Sequence, residues 1–145
     1  MERKKFIKNC CYAAIGIPLG ASFLESCGVY YATTTSFKEK IVVPKSEFIK
    51  IKKEKKIFRQ FIYVEVASTK YPICLYKEGE EDYIATLLKC THRGCELNVG
   101  GGVYSCPCHG SEFTIRGKVL EGPATKRLQT FKTSFDNENI YIHLS

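Results

Sequence analysis

The chain has 145 residues, long enough for one compact domain and a leader but not for two full domains. With 44% hydrophobic and 26% charged residues it has the make-up of an ordinary globular protein, which excludes wholesale disorder. Its formal net charge of +7 favours acidic partners or membrane surfaces.

Residues 2–8 are basic, and an apolar stretch follows from Cys10 to Leu24, broken by Gly16, Pro18 and Gly20. As a helix that stretch would span roughly 22 Å, short of the ~30 Å hydrocarbon layer. A basic start and a short apolar run read as a signal peptide over residues 1–26. Leu24-Glu25-Ser26-Cys27-Gly28 resembles a bacterial lipobox, with Glu25 where a small residue is usual, which implies lipidation at Cys27. Arg3-Lys4-Lys5-Phe6-Ile7-Lys8 resembles a twin-arginine export motif with Lys4 in place of the second Arg. The alternative is an uncleaved, short membrane anchor. Both readings tether the domain to a membrane through residues 27–38 and put it in a bacterial cell envelope, on the outer side of the cytoplasmic membrane.

From Val29 onward the pattern is one of short strands. Val29–Phe37 reads as a tether running into a first strand. Lys40–Val43, Glu47–Ile51, Phe61–Val66, Tyr71–Tyr76 and Tyr83–Leu88 are rich in β-branched and aromatic residues and partly alternate apolar with polar. Residues 77–82 form a charged, glycine-containing hairpin loop. No amphipathic helix and no internal repeat emerges, so the expectation is an all-β domain over residues 39–145. The lysine-rich run Lys50–Arg59 has no aromatic platform interleaved through it and reads as a solvated strand edge and turn, not a nucleic-acid patch.

Eight cysteines are present, and four of them, Cys90, Cys95, Cys106 and Cys108, cluster with His92 and His109. Cys90-Thr91-His92 and Cys106-Pro107-Cys108-His109 let two tight loops present two thiolates and two imidazoles. A structural zinc site uses the same donors, but the Cys-x-His pair and two surplus cysteines argue against zinc.

Cys90-Thr91-His92-Arg93-Gly94-Cys95 and Cys106-Pro107-Cys108-His109-Gly110-Ser111 closely resemble the two boxes of the Rieske iron–sulfur proteins, over about residues 83–144. The resemblance implies a fold of antiparallel sheets with a small cluster-binding subdomain at about residues 87–124. It implies one [2Fe-2S] cluster, with Cys90 and Cys106 on the inner iron and His92 and His109 on the outer one. It also implies a Cys95–Cys108 disulfide of the cytochrome bc and b6f subclass, where two free buried thiols are the alternative. Ser111 matches a serine whose hydroxyl donates to a bridging sulfide, and Phe113 stands where many respiratory members carry a tyrosine donor. Gly122-Pro123-Ala124 resembles the proline loop that covers the cluster, while Gly100-Gly101-Gly102 reads as a simple turn. Arg93 replaces the leucine common at the quinol-docking tip.

The implied function is one-electron transfer within a quinol-oxidising complex, between a cytochrome b-type subunit and a cytochrome c-type acceptor. The other reading is a small subunit of an exported molybdenum oxidoreductase, or a freestanding carrier. No catalytic triad, phosphate loop or carboxylate pair would make the domain a catalyst by itself, and no nucleic-acid partner is expected. Cys74 reads as a buried small residue and His143 as a plain strand histidine.

Overall fold

In a computed structural model, residues 29–37 and 39–145 are described; the leader and Cys27 lie outside them. The described residues are built from thirteen strands and one 3₁₀ turn, with no α-helix among them. The all-β expectation holds.

The base of the domain is a curled seven-stranded antiparallel sheet. Its strands are β1 (Thr35–Phe37), β2 (Lys40–Pro44), β5 (Phe61–Val64), β6 (Ile73–Lys77), β7 (Tyr83–Leu87), β12 (Thr130–Phe135) and β13 (Asn139–His143). They lie in the order β1-β2-β13-β12-β7-β6-β5. Upstream of β1, Tyr31 bridges to Tyr63, and Ala32 N–H donates to the Tyr63 carbonyl at 2.9 Å, so the entering chain lies along β5.

The 73–76 stretch shows no clean polar alternation in sequence, and the structure gives the reason. Ile73 and Leu75 point into one core with Ile41, Val43, Ile62, Val64, Ala85, Leu87, Ile140 and Ile142. The alternate residues Cys74 and Tyr76 point into a second core with Tyr63, Ile84, Leu97, Tyr104, Phe113 and Leu128. With both faces covered, neither needs polar residues. Burial pushes the Cys74 thiol up to about 12, so it is a neutral core residue.

That second core joins the base to a four-stranded sheet of β8 (Asn98–Gly100), β9 (Val103–Ser105), β10 (Glu112–Thr114) and β11 (Val119–Glu121), in the order β11-β10-β9-β8. The Gly100–Gly102 segment turns β8 into β9, with positive φ at Gly101 (60°) and Gly102 (78°). Such short strands could not hold together in isolation; Tyr104 and Phe113, both fully buried, fasten them to the base.

β3 (Ile49–Lys52) and β4 (Lys55–Phe58) pair only with each other, as a separate two-stranded ribbon. The lysine-rich run therefore forms a hairpin of its own, two exposed edge strands and a turn, as the sequence suggests. Strand boundaries elsewhere shift by a few residues. The strand expected over Glu47–Ile51 begins at Ile49, because Lys45–Phe48 winds into the 3₁₀ turn that buries Phe48.

Candidate metal centre

Two loops project from one end of this framework. The first leaves β7 and carries residues 88–97; the second joins β9 to β10. They are built alike. Cys90 N–H donates to the Cys95 carbonyl (2.8 Å), and Gly94 N–H to the Cys90 carbonyl (2.8 Å). In the second loop Cys106 N–H donates to the Ser111 carbonyl (2.8 Å), and Gly110 N–H to the Cys106 carbonyl (3.0 Å). Gly94 and Gly110 close the two turns at φ of 75° and 79°, a region that penalises any Cβ. Cys90-x3-Gly94 and Cys106-x3-Gly110 repeat one loop design, a signal present in the sequence but too brief to register.

The two loops present their donors in layers. Cys90 and Cys106 are buried, at 1% and 3% exposure, with their thiols adjacent. His92 is half-buried and His109 exposed, and their rings meet edge to face with centroids 4.8 Å apart. The backbone N–H groups of His92 and Arg93 point at the Cys90 sulfur, and those of Cys108 and His109 at the Cys106 sulfur. Burial raises the Cys90 pKa, and the adjacent Cys106 sulfur adds to the rise. Burial works the same way on Cys106, but its amide donors and the Cys90 thiol outweigh it and lower the pKa on balance.

Cys95 and Cys108 are joined in a disulfide that ties one loop to the other. The sulfurs of Cys95, Cys106 and Cys108 lie within 4.8 Å of one another, yet the two disulfide sulfurs are not thiolate donors. That leaves Cys90 and Cys106 as the available thiols here. His92 Nδ1 is buried with no hydrogen-bond partner among the described residues. A buried lone pair without a partner is costly, and a metal ion is the acceptor that suits it. Two adjacent buried thiols, a buried imidazole nitrogen and a second imidazole beside it fit a cluster held by two sulfurs and two nitrogens.

The surroundings lock the loops. Ser111 is fully buried, and its Oγ accepts the Ala124 N–H at 2.9 Å, which holds the Gly122–Ala124 segment, with its cis Gly122–Pro123 bond, against the second loop. Thr91 Oγ1 donates to the Lys126 carbonyl at 2.5 Å, and the Tyr71 hydroxyl donates to the Gly94 carbonyl. Sequence reasoning missed Tyr71, Thr91 and Lys126, because these contacts close over separations of 23 and 35 residues with no local pattern. A groove of about 600 Å³ runs beside His92, lined by Lys89, Arg93 and Lys126 with no carboxylate. His143, whose Nε2 meets Ser134 Oγ at 2.8 Å, belongs to the β12–β13 pair and takes no part in the site.

Paired loops carrying thiols inside and imidazoles outside, set on two antiparallel sheets, define an iron–sulfur protein. A family model for the Rieske [2Fe-2S] domain matches residues 39–132, and the chain belongs to that family, whose domain binds a [2Fe-2S] cluster. It is 43% identical over 53 residues to the cytochrome b6-f complex iron-sulfur subunit of Synechococcus sp. (strain JA-2-3B'a(2-13)), covering 35% of this chain and 31% of that protein. With the corresponding subunit of Synechococcus sp. (strain CC9605) it is 42% identical over 76 residues, covering 49% of this chain and 42% of the relative. The match thus spans about a third to two fifths of the length of these curated relatives. The crystal structure of the cyanobacterial plasma membrane Rieske protein PetC3 from Synechocystis PCC 6803 is similar at a TM-score of 0.52 and 32% identity, over 57% of this chain and 85% of that one.

Proposed function

We propose that this chain is a membrane-tethered one-electron carrier, the iron–sulfur subunit of a quinol-oxidising complex. In this reading Cys90, His92, Cys106 and His109 hold the cluster. The observation that carries it is the convergence of two matched loops on a buried thiol pair and an adjoining imidazole pair. When bound, such a cluster supplies a one-electron acceptor at roughly −150 to +300 mV, against about −400 mV for plant-type ferredoxins.

The chain's own residues do the rest. Cys90 and Cys106 anchor from the inside, and four backbone N–H groups aimed at their sulfurs offset negative charge there. His92 and His109 form the outer layer, their rings edge to face, and would hold the cluster from the side opposite the two thiols. Ser111 accepts from Ala124 and keeps its own hydrogen free to donate. The Cys95–Cys108 disulfide and the Gly122–Ala124 segment hold the loops together and limit water. Outside the described residues, Cys27 carries a lipid that keeps the domain at the outer face of the cytoplasmic membrane. The donor is then quinol at a cytochrome b-type subunit and the acceptor a cytochrome c-type protein.

A second reading rests on the groove of Lys89, Arg93 and Lys126 beside His92. A cationic rim suits an acidic protein better than an apolar quinol site. It favours a small subunit of an exported molybdenum oxidoreductase, or a freestanding carrier. Purification in detergent tests both. Two irons per chain and a rhombic low-field resonance on reduction are expected, and their absence would end the cluster reading. Co-purified haem supports the first partner set and co-purified molybdenum the second.

A further inference from the structure

The β3–β4 ribbon has both of its faces in solvent, yet it is not a polar element. The register Ile49↔Phe58, Lys50↔Ile57, Ile51↔Lys56, Lys52↔Lys55 sorts its side chains. Ile49, Ile51 and Phe58 share one face with Lys56, while Lys50, Lys52 and Lys55 share the other with Ile57. Ile51 is 72% exposed and Phe58 69%. Solvated ribbons do not need large apolar side chains, and an apolar face backed by lysines is the pattern of elements that lie in the headgroup region of a bilayer. Five lysines against Glu54 alone give the ribbon a strong attraction for anionic lipid.

The path of the chain points the same way. Val29 and Tyr30 line a cleft with Lys50 and Arg59 at the ribbon's root. The Tyr30 hydroxyl donates to Glu47 Oε2 at 2.7 Å, and the Arg59 guanidinium lies 3.6 Å from the Tyr30 ring centroid. Arg59 also donates to the carbonyls of Glu47 (3.0 Å) and Ile49 (3.2 Å). The polypeptide therefore enters the domain where the ribbon begins. Only four residues separate Leu24, the end of the apolar leader, from Val29. That gap reaches at most about 17 Å, comparable to the ribbon's own length of roughly 13 Å plus its turn. The acidic residues nearby, Glu78, Glu80, Glu81 and Asp82, belong to the β6–β7 turn at the ribbon's root, and Arg116 is paired with Glu78 and Asp82.

We infer that the β3–β4 ribbon is a membrane-surface contact, inserting Ile51 and Phe58 among anionic lipid headgroups and fixing the pose of the domain. The inference rests on the reading of the leader as a membrane tether. It has a geometric consequence. The ribbon's root adjoins Lys77 and Tyr83, at one end of the β6–β7 pair, and the Cys90 loop leaves the other end after Leu87. A ribbon seated on the bilayer holds the metal-binding loops away from it, toward partners in the aqueous phase, which agrees with the second reading above and not with quinol as the direct donor.

The chain has no tryptophan, so single reporters can be introduced into the full-length holoprotein. Ile51→Trp and Phe58→Trp report on the ribbon, and Leu120→Trp, at a site 53% exposed in the small sheet, serves as the control. With phosphatidylcholine–phosphatidylglycerol vesicles, the two ribbon reporters should shift to the blue and lose about half their emission to brominated acyl chains, while Leu120→Trp changes little. Adding Lys50→Gln, Lys53→Gln and Lys55→Gln should return Ile51→Trp to the control level. Protein that sediments with the vesicles while the ribbon reporters stay unquenched overturns the inference and leaves the tether reading standing. Protein that does not sediment at all overturns both. A blue shift without vesicles that grows with protein concentration also overturns it, in favour of a second copy covering the ribbon.

Discussion

The base sheet and the metal-binding loops are held by different physics. In the base, Ile41, Val43, Ile140 and Ile142 are specified by little more than being apolar on the correct side of a strand. Volume-conserving exchanges in such a core are tolerated. In the loops almost every residue has one job that only its own chemistry performs: a thiol, an imidazole, a glycine at φ near 75°, a disulfide. The base should therefore fail by degrees and the loops all at once. Burial is a sum over many contacts, whereas a ligand set has no partial substitute.

Cys106→Ser sets the upper end of that contrast. It should abolish iron binding altogether, read by iron analysis and the reduced-state resonance, while far-UV circular dichroism keeps the β-sheet spectrum. A variant that retains two irons would remove Cys106 from the ligand set. Ile140→Ala is the counterpart in the base. It should cost about 2–5 kcal/mol in denaturant unfolding and leave the resonance of the remaining folded protein unchanged. A shifted resonance would mean that the two regions are not separable.

The paired change Cys95→Ser with Cys108→Ser opens a link between residues 13 apart, for which loop-closure entropy suggests about 3 kcal/mol. The loss should appear as cluster bleaching well below the temperature at which the sheet melts. Simultaneous bleaching and melting would contradict the picture of a locally stapled site. Ser111→Ala leaves the buried Ala124 N–H without its acceptor, at a cost of about 1–3 kcal/mol. It should also lower the reduction potential measured by voltammetry, because one donor near the cluster is lost. The smallest effect is expected from Phe113→Tyr, which should raise the potential modestly by adding a donor. An unchanged or lower value would show that the new hydroxyl does not reach a ligand sulfur.

The same division explains what could be read from the sequence. The strands Phe61–Val64 and Tyr83–Leu87 stood out, read one or two residues long as Phe61–Val66 and Tyr83–Leu88, because β-branched and aromatic residues crowd into short runs between turn signals. The four small-sheet strands did not. Each spans three residues, too short for any period to show, and they are held by Tyr104 and Phe113 from below. The candidate donors, two thiols and two imidazoles on adjoining loops, could be picked out because their spacing is unusual and their chemistry rare. The contacts that steady them, Thr91 on Lys126 and Tyr71 on Gly94, were not, since they form only after the chain has folded back on itself. The matched hydrogen bonding of the two loops was hidden for another reason: most of it is made by the backbone, which the side-chain sequence does not spell out.

The place of β13 has a consequence for synthesis. This strand, residues 139–143, is inserted between β2 and β12 and pairs with both along most of its length. Until those residues have left the ribosome, β2 has no neighbour on that side and the first core lacks Ile140 and Ile142. The base therefore cannot be assembled strand by strand in chain order; β2 and β12 are joined only once β13 is available to pair with both. A nascent chain stalled before residue 139 should present two open strand edges and depend on a holding chaperone. Ribosome-bound fragments cut at residues 135 and 145 and released through a linker would differ sharply in protease resistance.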